Sequence, residues 1–480
     1  MSLPLLPTEL KLNLIEYLDP VSTLHLALSS KAHLKLCNDR LQEHANLYAK
    51  YCVIRPSNDG HLIWDVTMEI LQDPRKGWYV RELDLVRDRP EEYPNMPDGD
   101  KVIFKVAAEE ILSLYPYESN FFAAERSDPR DLDNEMDDHI DRGYEAPILV
   151  LLVHHSPQLR TFRMTDNLMS DTFGNFLRRV VAGYQNPSMA PKMPLQHLRL
   201  AAIAHYDTES SCSVDWAVYF ICIPSLRTFA AFMMGSEDIS DYDVYHDAHL
   251  HNTSDVAVSN VEELFFQGCQ FDPESFHTLL PMIKGLKRFS YNAGGHIVAQ
   301  QDFEPRSVLE ALVTHASHSL EELDLAEVSI GFEDGEEDIR SVSARGFQKL
   351  KALHCETRWL LGQSEELLED IESDDNADLP EDHHLVQDPV EKRTVSSKDP
   401  RDNLPESLEY LYLDGVYEDD EWEQMIEMFK TTNANTPKLT LENTCLNRDD
   451  KATFGDAVEP HIRIDNPLLE DIWRGHSYFL

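Results

Sequence analysis

Leu286-Lys-Arg-Phe289-Ser-Tyr291 and Leu320-Glu-Glu-Leu323-Asp-Leu325 are two copies of one six-residue phrase, apolar-x-x-apolar-x-apolar, and that phrase decides how most of the chain is built. Its last three positions alternate, as on a short strand where residues two apart share a face. Toward the start of the chain the phrase returns as Val261-Glu-Glu-Leu264-Phe-Phe266, Leu226-Arg-Thr-Phe229-Ala-Ala231, Leu195-Gln-His-Leu198-Arg-Leu200, Leu159-Arg-Thr-Phe162-Arg-Met164 and Val80-Arg-Glu-Leu83-Asp-Leu85. Toward the far end it reads Leu350-Lys-Ala-Leu353-His-Cys355, Leu408-Glu-Tyr-Leu411-Tyr-Leu413 and a weaker Thr436-Pro-Lys-Leu439-Thr-Leu441. Apolar residues recur at helical spacing between the phrases. Phe173, Phe176, Leu177 and Val180 form one such set, and Phe276, Leu279, Leu280 and Ile283 another. Val308, Leu309, Leu312 and Val313 make a third, and Trp422, Met425, Ile426 and Phe429 a fourth.

Strand and helix in repeated alternation predict an α/β solenoid, whose neighbours stack because no single repeat buries its own apolar face. A barrel alternates in the same way, but its strands are buried on both faces and read as continuous apolar runs. Here the intervening positions are mostly Arg, Glu, Thr, Gln, Lys and Asp, which favours the solenoid. Two acidic insertions, 118–145 and 364–403, break the rhythm; low hydrophobicity with dense charge predicts disorder, and 364–403 is read as a spacer rather than a docking tail. The stretch 446–480, with Ile462, Ile464, Leu468, Leu469, Ile472 and Trp473, is expected to cap the open end.

Residues 1–48 read differently. Pro7 and Thr8 signal a helix start, with Thr8 as a cap and Glu9 complementing the positive helix end. Leu10, Leu14 and Leu18, with Ile15 beside them, make one apolar stripe before Asp19-Pro20 ends the helix. Ser22 or Thr23 is expected to cap a second helix carrying Leu24, Leu26, Ala27 and Leu28. Ser29-Ser30 is expected to cap a third, with Leu34, Leu41, Ala45 and Tyr48 on one side. Three short helices make a small core, and domains this small usually need outside help. Residues 49–79 are read as a linker or N-terminal cap, and 80–445 as the repeat region.

The Leu6-Pro7-Thr8-Glu9-Leu10 opening, the leucines at four-residue steps, the Leu18-Asp19-Pro20 break and the Ser30-Lys31 after the second run resemble an F-box in order and spacing. The strand phrases resemble the degenerate leucine-rich-repeat half of fungal-type F-box proteins over about residues 75–445. Their steps are somewhat longer than the ~20–29 residues of regular leucine-rich repeats. The resemblance implies a three-helix F-box followed by an irregular leucine-rich-repeat-like α/β solenoid. It implies that Leu6, Pro7, Leu10, Leu14, Ile15, Leu18, Leu24 and Leu26 contact a Skp-type adaptor. The solenoid would then hold a target protein for a cullin-RING ubiquitin ligase. Target contacts are expected at Arg160, Arg163, Gln196, Arg199, Glu262, Lys287, Glu321 and Asp324. An adaptor-bound scaffold with no ubiquitination role is the alternative, and the target is not readable from the repeats.

Composition narrows the partners. The formal charge of −45 over 480 residues repels phosphate backbones and acidic bilayers, so neither nucleic acid nor membrane is expected. Seven cysteines are scattered singly without a CxxC pair, which fits free thiols in a reducing cytoplasmic or nuclear setting. The first residues lack a basic region followed by a long apolar run, so no secretory signal is expected. The longest apolar run, Pro147–Val153, falls far short of the ~20 residues of a membrane helix.

Catalytic chemistry is not expected. His246, His249 and His251 are spaced to reach one ion, but Asp241, Asp243 and Asp247 around them read equally as a polar loop. A metal enzyme using that loop is the weakest of the three readings. His154-His155 and His383-His384 read as helix-end and loop residues, and Gly294-Gly295 as a turn without a phosphate-loop lysine. No cofactor is implied.

Overall fold

The computed structural model describes residues 6–55, 62–85, 97–115, 129–165, 171–205, 211–236, 259–294, 304–327, 343–356, 359, 403–415, 438–443 and 450–454. These belong to two units, one holding the chain up to 205 together with 222–226, the other 211–221 and the chain from 227 onward. Both are mixed α/β with parallel strands.

The first unit opens with α1 (Thr8–Glu16), α2 (Pro20–Ser29) and α3 (Lys31–Tyr51). Asp19 does more than stop α1. Its carboxylate accepts from the Val21 and Ser22 amides at 2.9 and 3.0 Å and caps α2, with Pro20 in the first helical position. Ser22 and Thr23 are therefore not the caps. Thr8 is likewise already helical, and the residue before it, Pro7, makes no capping bond. Ser30 caps α3 as expected, accepting from His33 N at 3.1 Å. The inward face of α3 is Cys37, His44 and Tyr51, whereas Leu34 and Tyr48 stay exposed.

Strands β1 (Val53–Ile54), β2 (Glu82–Leu85), β3 (Thr161–Thr165) and β4 (Leu200–Ala204) come next, each parallel to the one before it in sequence. Between them lie α4 (Leu62–Gln72), a 3₁₀ turn (Pro74–Tyr79), α5 (Asp98–Leu112), α6 (Pro129–Arg142), α7 (Glu145–His154) and α8 (Asp171–Gln185). Residues 49–79 are thus no bare linker, since Ile63, Trp64, Ile70 and Tyr79 are all buried. The apolar run at 147–153 is the heart of α7, where every residue from Glu145 to Val153 is buried, as in a helix surrounded by protein. Gly77 closes the 3₁₀ turn onto the end of α7: a Cβ there would lie 1.8 Å from the carbonyl oxygen of His155.

The acidic insertion 118–145 departs from its expectation. From Pro129 it is α6, whose Met136 and Ile140 are fully buried and whose Asp141 takes the Lys105 ammonium of α5 at 2.6 Å. Two apolar residues four apart anchor a helix that its charge count disguises.

In the second unit β5 (Cys212–Ser213) and β7 (Met234–Gly235) pair with each other, and α9 (Asp215–Ile221) lies between them. The main ladder runs β6 (Thr228–Phe232), β8 (Glu263–Cys269), β9 (Arg288–Ala293), β10 (Glu322–Glu327), β11 (Ala352–Glu356), β12 (Tyr410–Gly415) and β13 (Lys438–Asn443), all parallel and in sequence order. Helices α10 (Pro273–Leu279) and α11 (Pro305–Ala316) coincide with two of the helical patterns. The last strand, β14 (Asp450–Phe454), turns back antiparallel on β13.

Register puts like positions side by side. Phe229, Leu264, Phe289, Leu323, Leu353 and Leu411 form one buried row, and Ala231, Phe266, Tyr291, Leu325, Cys355 and Leu413 the next. Phe266, Phe271, Phe276, Phe289 and Tyr291 interlock largely edge to face, the arrangement that aromatic quadrupoles favour. Tyr291 keeps its hydroxyl satisfied in this core by donating to Cys269 O at 2.9 Å and accepting from Phe271 N at 3.0 Å. Not every intervening position is polar: Ala230 and Phe265 are buried too.

One phrase is misread. Thr161 pairs with Leu200, so the counterpart of Leu159 is Leu198, and the strand phrase is Leu198-Arg-Leu-Ala201-Ala-Ile203 rather than the one starting at Leu195. Leu195 lies in the approach to the strand with φ 64°, a left-handed conformation costly for a branched residue, and its carbonyl accepts from the Ser225 hydroxyl at 2.7 Å. The insertion at 364–402, the helix pattern at 422–429, the His246 loop, His383-His384 and most of 446–480 lie outside the described residues.

Candidate functional site

Two surfaces stand out, one in the N-terminal helices and one along the starts of the strands. The helices have a small apolar cluster of Ile15, Ala27 and Cys37, with Leu26, Leu36 and Leu41 packed against it. Much of their apolar surface faces outward. Leu10 is 52% exposed, Leu24 47% and Leu28 72%, with Leu14, Tyr17, Val21 and Leu34 exposed beside them. Of the residues expected to meet an adaptor, Leu10, Leu14 and Leu24 are exposed with Pro7, while Leu6, Leu18 and Leu26 are half-buried. Ile15 is the exception: at 3% exposure it belongs to the internal core, because the neighbouring position on α1 is the one that meets α2 and α3. Sequence spacing alone does not separate Leu14 from Ile15.

A polar chain fixes these helices to the 3₁₀ turn that ends at Tyr79. The Thr23 hydroxyl donates to Asp19 O at 2.9 Å and lies 3.1 Å from His44 Nε2, while His44 Nδ1 meets the Tyr79 hydroxyl. That pattern suits a neutral imidazole protonated on Nε2, with Tyr79 donating to Nδ1. Burial holds the His44 pKa below its usual value. Asp19 is held below the ordinary carboxylate value chiefly by the Ser22 hydroxyl, which donates at 2.6 Å, and by the Ser22 amide.

The second surface is the row of residues just before the strands. In the first unit Arg160 N donates to Arg81 O at 2.8 Å and Arg199 N to Arg160 O at 2.7 Å, so three arginines stand in register. In the second unit Lys287 N donates to Glu262 O, Glu321 N to Lys287 O and Lys351 N to Glu321 O, each at 2.8 Å. There the charges alternate and pair, Lys287 with Glu262 at 2.7 Å and Lys351 with Glu321 at 2.6 Å. Arg81 is instead anchored on the carbonyls of Trp78 and Val80 at 2.6 and 3.0 Å, under the ring of Tyr48. Its guanidinium is shifted down first by burial and then by the charge of Arg160.

The expected target-facing residues divide accordingly. Arg160, Arg199, Glu262, Lys287 and Glu321 lie in this row. Gln196 does not: it sits in the approach to β4, where its amide donates to Met193 O at 3.0 Å. Arg163 and Asp324 lie inside strands. Arg163 is within 3.6 Å of Glu82 and 3.8 Å of Asp84. Asp324 accepts from Ser290 Oγ at 2.9 Å and from His354 Nδ1 at 2.6 Å, with the Tyr412 ring edge-on to His354 at 4.5 Å. Ser290, His354 and Tyr412 occupy the same phrase position as Asp324 in successive strands, which is the signal that could have found them. Here the carboxylate stands between serine and histidine, so the serine has no adjacent base of the kind nucleophilic catalysis uses.

Among the described residues no group of three His, Cys, Asp or Glu side chains is placed to hold a metal ion. His154 closes α7 and His155 caps it, as expected of helix-end residues. Cys37, Cys52, Cys212, Cys222, Cys269 and Cys355 are free thiols, all but Cys52 buried. Among the described residues no helix is long and apolar enough to cross a membrane. No family model matches the chain, and no curated protein is similar to it.

Proposed function

We propose that this protein is a non-catalytic substrate-recognition subunit of an SCF-type cullin-RING ubiquitin ligase. Its first three helices dock a Skp-type adaptor in the manner of an F-box, and its strand repeats form a leucine-rich-repeat-like solenoid that holds a target protein. One observation carries the reading: a helical module with a small apolar cluster around Ile15, Ala27 and Cys37 leaves Leu10, Leu14, Leu24 and Leu28 in solvent. Exposed leucines gathered on so short a helical segment support an interaction site. Positioning a target near a charged ubiquitin carrier raises effective concentration, and needs no catalytic group in this chain.

The test is co-expression with a Skp-type adaptor and a cullin, beside a Leu10→Asp/Leu14→Asp double variant. Both leucines are exposed in the free chain, so the variant should fold with a stability change within about 0.5 kcal/mol per site. Two carboxylates in an apolar interface should nevertheless abolish docking. Capture of both proteins by the wild type and neither by the variant supports the ligase reading. Capture of the adaptor alone supports a scaffold, and capture of neither by folded protein refutes the docking role.

A further inference from the structure

We infer that Arg81, Arg160 and Arg199 form a binding strip for an anionic stretch of polypeptide, carrying clustered carboxylates or phosphoryl groups. This gives a chemistry to the target-holding surface and takes its biological meaning from the function proposed above. The binding itself stands on the geometry of the row.

The ion pairs of the second unit show that side chains in this row reach each other from adjacent strands. In the first unit the corresponding neighbours are all arginine, so like charges stand where opposite ones would satisfy each other. Arg160 is exposed and makes no side-chain hydrogen bond or ion pair among the described residues. Arg199 is exposed and, among the described residues, donates only to Ser225 O, at 3.3 Å. The carboxylates of β2 do not neutralise them: Glu82 and Asp84 lie against Arg163, and Asp84 also takes Arg55 at 3.2 Å. With 87 acidic residues and 42 basic ones in the chain, three adjacent arginines with no carboxylate paired to them among the described residues are not a shortage of acid.

The dimensions suit an extended peptide. Adjacent strands stand ~4.8 Å apart, so the three arginines span roughly 10 Å, and extended chain covers that in about three residues. Anionic side chains at i and i+3 meet both ends of the row when the peptide is a polyproline II helix, whose three residues per turn put them on one face about 9 Å apart. Guanidinium forks take carboxylate or phosphate oxygens in pairs, with short charge-assisted bonds. Arg81, already held by two carbonyls and the Tyr48 ring, loses little freedom on binding. A nucleic acid is the poorer fit, since the field of a −45 chain opposes a long polyanion far more than a short segment.

The experiment uses the full-length protein and fluorescence anisotropy with short labelled Gly/Ser peptides. One peptide carries two Glu residues three positions apart, a second has phosphoserine at those positions, a third has Gln. An oligothymidine single strand is the fourth probe. Binding is compared between wild type, Arg160→Glu/Arg199→Glu and Lys284→Glu/Lys349→Glu, the last making the same change in net charge at exposed lysines outside the row. The Glu or phosphoserine peptide should bind, the Gln peptide should not, and the arginine double variant alone should lose affinity by about tenfold or more, since like charges then face the ligand. The tighter of the two anionic peptides identifies the source of the oxygens. Failure of both to bind folded wild type, or equal loss in the two variants, overturns the strip. Equal or tighter binding of oligothymidine through the same arginines overturns the polypeptide assignment. Adaptor capture on the same preparations reads the docking role separately, because the arginine variant leaves Leu10, Leu14 and Leu24 intact.

Discussion

The three N-terminal helices and the strand ladder of the second unit use apolar residues in opposite ways. The ladder buries Phe229, Phe266, Phe289 and Tyr291 almost completely and leaves charge outside. The helices keep Ile15, Ala27 and Cys37 inside and put leucines outside. Stability in the ladder is therefore internal, coming from burial between repeats, at roughly 25 cal/mol per Å² of apolar surface. The helices hold together with less, helped by the Asp19 and Ser30 caps and by the Thr23–His44–Tyr79 chain. The same residue type thus supplies the inside of one region and the solvent face of the other.

The largest effect expected is in the ladder. Phe266→Ala should cost about 3–5 kcal/mol, seen as a lower denaturant midpoint, because it leaves a cavity among Phe229, Phe271, Phe289 and Tyr291. A loss below about 1 kcal/mol would mean that the aromatic contacts are not what holds the ladder together. Ile15→Ala should cost about 2 kcal/mol, and the loss should be local. Hydrogen exchange should speed up across residues 8–51 while β8 to β10 stay protected; slowing or no change in the helices would erase the contrast between the regions.

The smallest effect expected is in mild acid. Burial depresses the His44 pKa from 6.5, so unfolded chains take up the proton before folded ones do. The stability that neutral His44 contributes is whole above about pH 6.5 and declines as pH falls toward the folded value. His154, brought down to about 4 by burial and then by the neighbouring His155, gives the same sign over the window from 6.5 to 4. Denaturant midpoints followed from pH 8 to 4.5 should fall, and His44→Gln should flatten the fall in the helices. A wild type whose helices are most stable near pH 5 would contradict this proton count.

The strands were legible because their inner positions repeat: Leu83, Phe162, Leu264, Phe289, Leu323 and Leu353 are each in strands that pair with their sequence neighbours. The slip at Leu195 has a local cause. Leu195, Leu198 and Leu200 fit the phrase in two frames, and only the pairing of Leu200 with Thr161 chooses between them. That slip also concealed the arginine row, since Arg199 aligns with Arg160 and Arg81 only in the later frame. In the helices, Asp19-Pro20 was legible as a break but not as a cap. The inside of α1 was not legible, because Leu14 and Ile15 are equally apolar and docking against Cys37 decides between them. In α6, nine charged or amide residues outweigh Met136 and Ile140 in any composition count, yet those two anchor it.

The ends of the pairing series bear on whether copies of this protein can polymerise. The first strand, β1, is two residues long, and an edge of that length offers too few rungs to recruit a foreign strand. The last, β14, reverses direction and carries Asp450 and Lys451. A strand added beyond β14 in the sense of the ladder would lie antiparallel to it. Among the described residues, the parallel series of the second unit thus ends on a reversed strand rather than on a further parallel rung.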